Sequence, residues 1–273
     1  MSRFNDYSHG AGSGAHTPRK RFGQHFLNDA NIIARIVQAI AAKPGQHVVE
    51  IGPGQGAITL PLLRDVHAMT VIELDRDLVP RIAALTAPIG AVKIINADVL
   101  DADLGALAAG RLLRVVGNLP YNISSPILFH CIEHLDAIAD MHFMLQREEV
   151  DRMAAAPGSK VYGRLSVMLQ LACTVEPLLA VPPESFRPPP KVDSAVVRLT
   201  PRPASERPHA EQATIVRLVR SAFGQRRKTL SNSLDGEATP AQMHAVGIDP
   251  RARAEQLAPQ AFVDLALRVD QDR

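Results

Sequence analysis

Residues 117–122 read Gly-Asn-Leu-Pro-Tyr-Asn, and their types suit the chemistry of a planar group. They lie between an apolar run, predicted as a buried strand, and a predicted helix start, where an open α/β sheet places its ligands. Asn118 has an amide oxygen that accepts hydrogen bonds, and Tyr121 has a flat ring. Pro120 restricts Leu119 to an extended backbone. An ordinary strand-to-helix turn explains the same residues, because Asn, Pro and Gly are common in turns.

A second candidate site follows the apolar strand predicted at residues 47–51, where three glycines occupy alternate positions. Glycines let the backbone turn sharply and approach a ligand closely. Gly52, Gly54 and Ala57 satisfy the dinucleotide form G-x-G-x-x-G/A, and Gly52, Gly54 and Gly56 also give the E-x-G-x-G-x-G form of S-adenosylmethionine sites. The glycines alone do not decide between the two cofactors.

Acidic residues follow the next two predicted strands. Glu73 lies 21 residues after Gly52, where a carboxylate can accept both ribose hydroxyls of an adenosine. Asp98 follows the third strand and can accept from the adenine amino group. Either acid could instead cap a helix. Because ligands bind outside the carboxyl ends of parallel strands, we expect these four strand ends to form one cleft.

The chain has 273 residues, of which 46% are hydrophobic, enough for one large or two modest domains. We expect a disordered tail at residues 1–18, an α/β domain at 19–200 and a small helical domain at 201–273. No apolar run approaches the length of a membrane span and no signal-peptide pattern is found, so we expect a cytoplasmic protein without membrane contact.

Metal and disulfide chemistry have weak support in the sequence. Cys131 and Cys173 lie in apolar stretches and are expected to be buried thiols. His130, Glu133 and His134 match a zinc pattern of three residues in five, but no supporting third ligand follows. We therefore expect no metal site.

Positive charge is concentrated in one part of the chain. Residues 187–228 carry an excess of +7, while the other 231 residues sum to −5. A compact excess suits nucleic acid, although a solvated basic face is the alternative. Directly before this region, we expect Phe186, on a proline-rich loop, to be an exposed stacking face for a base. We expect the phosphate contacts to come from basic residues on this loop, after the next helix and near the N-terminus: Arg187, Arg226, Arg227, Lys228, Arg19, Lys20 and Arg21.

Together these features fit methyl transfer to a planar nitrogen. The lone pair of an aromatic amine is delocalised into its ring. If the Asn118 side-chain oxygen and the Leu119 or Pro120 carbonyl accept its protons, they favour a localised lone pair. Tyr121, with Phe186, would stack on the base, and orientation in a fixed polar environment would supply the catalysis.

Longer motifs carry a specific resemblance. In chain order they are EIGPGQG, IELDRD, NADVL, GNLPYNISSP, MHFMLQREEV, YGRLSV, FRPPPKVDSAVVRL and FGQRRKTLSNSL, and they resemble the ribosomal RNA adenine dimethyltransferase family from about residue 19 to residue 269. The resemblance implies a Rossmann-like α/β methyltransferase sheet with an all-helical C-terminal domain. It implies dimethylation of the 6-amino groups of two adjacent adenosines in the 3′-terminal hairpin of small-subunit (16S) ribosomal RNA. It also implies a role in small-subunit biogenesis. The substrate would be a 30S subunit or its precursor, and the enzyme would be a monomer.

The family's cofactor contacts fall on residues from five separate segments of the chain, namely His25, Leu27, Gly52, Glu73, Asp98 and Asn118. S-adenosylmethionine is the cofactor implied. The catalytic motif falls on Asn118, Leu119, Pro120 and Tyr121. The family commonly has Asn at the position of His25, so we expect cofactor contact through the Leu27 backbone.

Other classes remain open. Related motifs serve methyltransferases that act on DNA adenine or protein glutamine. The glycines alone also permit an NAD-dependent oxidoreductase, and the chain could act as a ribosome-assembly factor without catalysis.

Overall fold

The computed structural model describes residues 25–208, 210 and 212–273. Its strands, in chain order, are β1 (Phe26–Leu27), β2 (His47–Ile51), β3 (Ala68–Ile72), β4 (Ala91–Ile95), β5 (Leu113–Asn118), β6 (Ile138–Gln146), β7 (Cys173–Val181), β8 (Phe186–Arg187) and β9 (Ser194–Pro201).

Seven of these strands form one sheet in the order β4-β3-β2-β5-β6-β9-β7. Strands β2 to β6 run parallel, and β9 pairs antiparallel with both β6 and β7. The carboxyl ends of the five parallel strands therefore lie at one edge of the sheet. A separate antiparallel pair joins β1 to β8 near that edge.

The helices, in chain order, are α1 (Ala30–Ile40), α2 (Thr59–Val66), α3 (Val79–Thr86), α4 (Leu104–Ala108), α5 (Ser124–Glu133), α6 (Arg147–Met153), α7 (Arg164–Ala172), α8 (Gln212–Gly224), α9 (Leu230–Ser233), α10 (Pro240–Ala245) and α11 (Pro259–Gln271).

Helices cover both faces of the sheet because its central strands are apolar on both sides. Along β2, Val48 packs with residues of α1, α2 and α3, whereas Val49 packs with residues of α4, α5 and α7. Alternation along a strand sends neighbouring side chains to opposite faces. A parallel sheet buried in this way places its accessible polar groups at the strand ends.

Helix α1 is fixed at both ends. The Asp29 carboxylate caps its start by accepting from the Asn31 amide at 2.9 Å, and Ile36 is buried one turn from either end of its apolar stripe. At its other end, the Arg114 guanidinium donates to the Ile40 carbonyl at 2.6 Å and to Asp140 at 2.8 Å. This helix follows β1 directly, so its attachment fixes the segment that lies over the strand ends.

The C-terminal helices form a second core that includes part of α7. Leu169 belongs to the sheet core, while Val167 and Met168 pack with Leu218 and Phe262 of the C-terminal helices. The predicted α/β sheet with a helical C-terminal region is confirmed. The domain boundary at residue 201 stays a prediction, and in the structure Pro201 still belongs to β9.

The pairing of β1 with β8 was not expected, because each strand has only two residues and its partner lies far away in the sequence. Among the described helices, none combines the length and apolar character of a membrane span.

Candidate active site

A cavity of about 320 Å³ opens at the carboxyl ends of β2, β3, β4 and β5. The expected single cleft is therefore present. Its lining includes every residue to which we assigned cofactor binding or catalysis: His25, Leu27, Gly52, Glu73, Asp98, Asn118, Leu119, Pro120 and Tyr121.

The glycine turn after β2 leaves room beside the backbone. Gly52, Gly54 and Gly56 have φ values of 65°, 54° and 84°, in the left-handed region that favours glycine. A Cβ on Gly52 would meet nothing within 4 Å, whereas a Cβ on Gly54 would lie 3.1 Å from the Phe26 ring. The turn thus gives a ligand close access to the backbone at Gly52.

Glu73 is held against this turn. It is buried, and its two carboxylate oxygens accept from the Gly54 amide at 3.2 Å and the Asp75 amide at 2.8 Å. Asn96 donates to the Glu73 carbonyl at 2.6 Å. These bonds orient a carboxylate at the cavity wall, which suits the recognition of ribose hydroxyls.

Asp98 combines both interpretations of its sequence position. One of its carboxylate oxygens accepts from the Leu100 amide at 3.0 Å and caps a short 3₁₀-helix. The residue also lines the cavity. Capping therefore does not remove Asp98 from the site.

Asn118 ends β5 with its amide group oriented. Its nitrogen donates to the His25 carbonyl at 2.9 Å, which leaves the amide oxygen to accept from a ligand. The Pro120 carbonyl already accepts from the Ile123 amide at 3.1 Å. Of the two backbone carbonyls considered, that of Leu119 is therefore the better acceptor for a second amine proton.

Tyr121 is positioned by its hydroxyl and by a neighbouring ring. The hydroxyl lies 2.6 Å from the Ser194 hydroxyl, and burial raises the pKa of Tyr121, so its hydroxyl stays neutral. The His25 ring stacks on it with centroids 5.8 Å apart and planes inclined by 24°. The His25 ring also lies near the proline-rich loop, with Nδ1 at 2.9 Å from the Pro188 carbonyl.

The expectation that Phe186 stacks on a base is wrong in this structure. Phe186 is fully buried in the core that also contains Leu27, Ile32 and Val196. The proline-rich loop folds back so that Phe186 lies opposite Leu27 in the pair formed by β1 and β8. Its ring fills the core beneath the cavity instead of facing it.

The whole chain also matches known proteins. The family model described as "Ribosomal RNA adenine dimethylase" matches residues 15–271. The chain belongs to the ribosomal RNA adenine dimethylase family. A relative from Xanthomonas campestris pv. campestris, named "Ribosomal RNA small subunit methyltransferase A", is 60% identical over 91% of this chain and 95% of its own length. Another of that name, from Xanthomonas axonopodis pv. citri, has the same identity and coverage.

Solved structures of RNA methyltransferases share the fold of this chain. A dimethyladenosine transferase from Plasmodium falciparum has a TM-score of 0.77 at 25% identity, covering 90% of this chain and 98% of its own. The 23S rRNA methyltransferase ErmE has a TM-score of 0.69 at 27% identity, covering 90% and 100%. Both likenesses extend through the helical C-terminal region.

Sequence reasoning missed two acidic groups in the cavity of this dimethylase-family chain, Glu50 and Asp75. Glu50, the second-last residue of β2, lines the cavity and is only 2% exposed. Its Oε2 has no hydrogen-bond partner among the described residues. Burial raises the pKa of Glu50 to about 7. The glutamate of the E-x-G-x-G-x-G form was the available signal, but only its glycines were assigned a role.

The structure separates the basic residues expected to bind RNA. Arg19, Lys20 and Arg21 lie outside the described residues. Arg187, Arg227 and Lys228 are exposed. Arg226 is exposed as well, but it pairs with Glu255 at 3.2 Å and donates to the Tyr162 carbonyl at 3.0 Å, so its guanidinium also holds the helical region together.

The histidines of the zinc-like pattern face backbone carbonyls. His130 Nε2 lies 2.9 Å from the Ala102 carbonyl, and His134 Nδ1 lies 3.0 Å from the His130 carbonyl. Within the described residues, no cluster of three metal-binding side chains is found.

Proposed function

We propose that this chain transfers methyl groups from S-adenosylmethionine to the 6-amino groups of two adjacent adenosines in the 3′-terminal hairpin of small-subunit ribosomal RNA. The observation that carries the proposal is the cavity in which the Gly52 turn, Glu73, Asp98 and Asn118 meet from four strand ends. Family membership supports the reaction, and the names of the relatives support the small-subunit substrate.

The residues present suit this cofactor. The open space at Gly52 admits a ligand against the backbone. Glu73 offers a carboxylate for ribose hydroxyls, and Asp98 offers one for an adenine amino group. The Oε2 atom of Glu50, which has no hydrogen-bond partner among the described residues, supplies a further acceptor for a positively charged group. When bound, the cofactor supplies a methyl group activated by a positively charged sulfur.

The protein then has to orient the nucleophile. The His25 carbonyl holds the Asn118 amide nitrogen, so the amide oxygen is directed by the protein before the substrate arrives. This oxygen and the Leu119 carbonyl accept hydrogen bonds from the two N–H groups of the adenine amino group, which localises the lone pair on its nitrogen. Tyr121 stacks on the base. These groups act through orientation and fixed dipoles, and none needs to be a strong base.

The substrate is ribosomal RNA within a 30S subunit or its precursor, and the protein acts as a cytoplasmic monomer. Arg187, Arg227 and Lys228 contact RNA phosphates, as their exposure allows. The test is incubation with undermethylated small subunits and labelled cofactor, followed by mass spectrometry of the RNA. Unmodified adenosines in the hairpin, or label in DNA or protein glutamine supplied in parallel, would contradict the proposal.

Asn118→Ala removes the side-chain acceptor and is expected to lower the methylation rate about 100-fold. The folded fraction should be unchanged, since Asn118 makes one side-chain hydrogen bond. Asn31→Ala, on the exposed side of α1, is the matched control and should methylate like the wild type. Turnover of Asn118→Ala within a factor of about two of the wild type would refute the role of the amide.

A further inference from the structure

A buried carboxylate lies behind the Asn118–Tyr121 turn, on the side away from the cavity lining. Glu149 in α6 is 8% exposed. Its Oε2 accepts from the Ser124 hydroxyl at 2.6 Å and its Oε1 accepts from the Ser125 hydroxyl at 3.0 Å. The salt bridges found among the described residues do not include Glu149.

The two serines connect this carboxylate to the catalytic turn. They are the first residues of α5, which begins three residues after Tyr121. The Ser124 hydroxyl oxygen also lies 3.2 Å from the Tyr121 carbonyl. Its single proton is directed to Glu149 by the shorter bond. Glu149 therefore sets the position of the helix start that immediately follows Tyr121.

The other end of the turn is held by the same segment of chain. The Leu119 amide donates to the Met144 carbonyl at 3.1 Å. Met144 belongs to β6, which continues directly into α6 and so to Glu149. One continuous stretch of strand and helix thus fixes the turn before Leu119 and after Tyr121.

The surroundings of Glu149 stabilise a negative charge without a cation. The residue lies in the first turn of α6 and faces the first turn of α5, so the positive ends of two helix dipoles meet near it. Both of its hydrogen bonds come from hydroxyl groups. Such hydrogen bonds are shorter and stronger when the acceptor is charged. A neutral acceptor would hold the two serines less firmly.

From these contacts we infer that Glu149 is a positioning residue for methyl transfer, which fixes α5 and the turn so that Asn118 and Leu119 meet the adenine amino group correctly. The inference rests on the proposed function. The inferred role is limited to the turn. Of the strand-end groups expected to contact the cofactor, only Asn118 lies on the turn. Gly52, Glu73 and Asp98 belong to other strand ends, so most of the cofactor contacts do not depend on Glu149.

Glu149→Gln tests this role. Glutamine preserves the size of the side chain, but its amide nitrogen cannot accept from the second serine hydroxyl. We expect kcat for methylation of undermethylated small subunits to fall about 10-fold or more, as small misplacements of reacting groups do. The Kd for S-adenosylmethionine, measured by calorimetry, should stay within a factor of about two. A purely structural defect would change both constants and the folded fraction.

Glu148→Gln is the matched control. It is the same substitution one residue earlier, at an exposed side chain that pairs with Arg152 at 2.9 Å, and it should leave kcat unchanged. Ser125→Ala removes one bond to Glu149 and keeps the carboxylate. It should lower kcat about threefold at unchanged cofactor Kd, and it carries the test if Glu149→Gln does not fold.

Wild-type kcat in folded Glu149→Gln or, where that variant does not fold, in Ser125→Ala would overturn the role of Glu149. So would a rise in cofactor Kd by the same factor as the fall in kcat. An inactive wild-type protein would instead overturn the proposed function. Parallel assay of wild type and Asn118→Ala keeps the two failures distinct.

Discussion

The carboxyl group of Glu50 is buried in the cavity wall, and its Oε2 has no hydrogen-bond partner among the described residues. Burial raises its pKa to about 7, and the nearby Glu73 charge acts in the same direction. The folded protein therefore holds a proton there that the unfolded chain releases near pH 4.5. The stability associated with that proton is complete below about pH 4.5 and is lost as the pH rises through about 7.

Glu50→Gln should remove this pH dependence. Relative to wild type, its free energy of unfolding is expected to rise by about 3 kcal/mol between pH 4.5 and pH 8, because glutamine has no proton to lose. Chemical denaturation of the cofactor-free protein at several pH values measures the difference. Exposed Glu133 provides the control substitution Glu133→Gln. Parallel curves for Glu50→Gln and wild type would show that Glu50 is not protonated in the fold.

Individual residues differ in how far the sequence determines their roles. Asn118 and Glu73 were predictable in their position at the cavity, because each lies at a strand end that had to meet the others, and their roles stay predictions. Phe186 was not, since the flanking prolines indicate a loop but give no information about what the loop packs on. Its burial depends on the contact with Leu27, which is distant in the sequence. His25 similarly stacks on Tyr121 only because β1 crosses the strand ends.

At the scale of elements, the glycine turn between β2 and α2 keeps open space beside the cavity at Gly52. Gly52→Ala is expected to lower S-adenosylmethionine affinity about 10-fold or more, because its methyl group would enter the open space beside the cavity. It also has a conformational cost of about 1 kcal/mol, because φ is 65°.

Gly110→Ala separates those two effects. Gly110 has φ 81°, and a Cβ added there would meet nothing within 4 Å. It is not among the residues lining the cavity. It should lose similar stability and keep wild-type cofactor affinity. Isothermal titration and thermal unfolding of both variants make the comparison. Equal affinities in the two variants would show that the cofactor does not approach Gly52.

Elements with a strong apolar pattern were predictable, and short ones were not. Central strands of the sheet such as β2 and β5 coincide with predicted apolar runs because their burial demands apolar residues. The two-residue strands β1 and β8 have no such pattern and exist through their mutual pairing. The helix at α5 was predicted from its polar start, but its attachment to Glu149 depends on how β6 lies beside β5.

For the whole molecule, the structure changes the meaning of the +7 excess in residues 187–228. Half of the ten cations in this region form ion pairs with acidic groups, namely Arg198, Arg202, Arg207, Arg217 and Arg226. Composition counts charge, but only the fold shows which charges already have a partner. Fewer positive charges are therefore available to an RNA than the sequence indicates. Arg227 and Lys228 are exposed together after α8.

Replacing Arg227 and Lys228 by Gln should weaken binding to small-subunit RNA and reduce the slope of log affinity against log salt concentration. Loss of two phosphate contacts changes that slope by about 1.5, since each contact releases condensed counterions. The control is Arg217→Gln with Arg226→Gln, which removes the same charge from groups paired to Glu237 and Glu255 at 2.6 and 3.2 Å. This pair should lower the stability of the helical region and change the slope less. Equal slopes for the two double variants would mean that RNA responds to net charge alone, and that ion pairing in the helical region does not select the residues that meet the phosphate backbone.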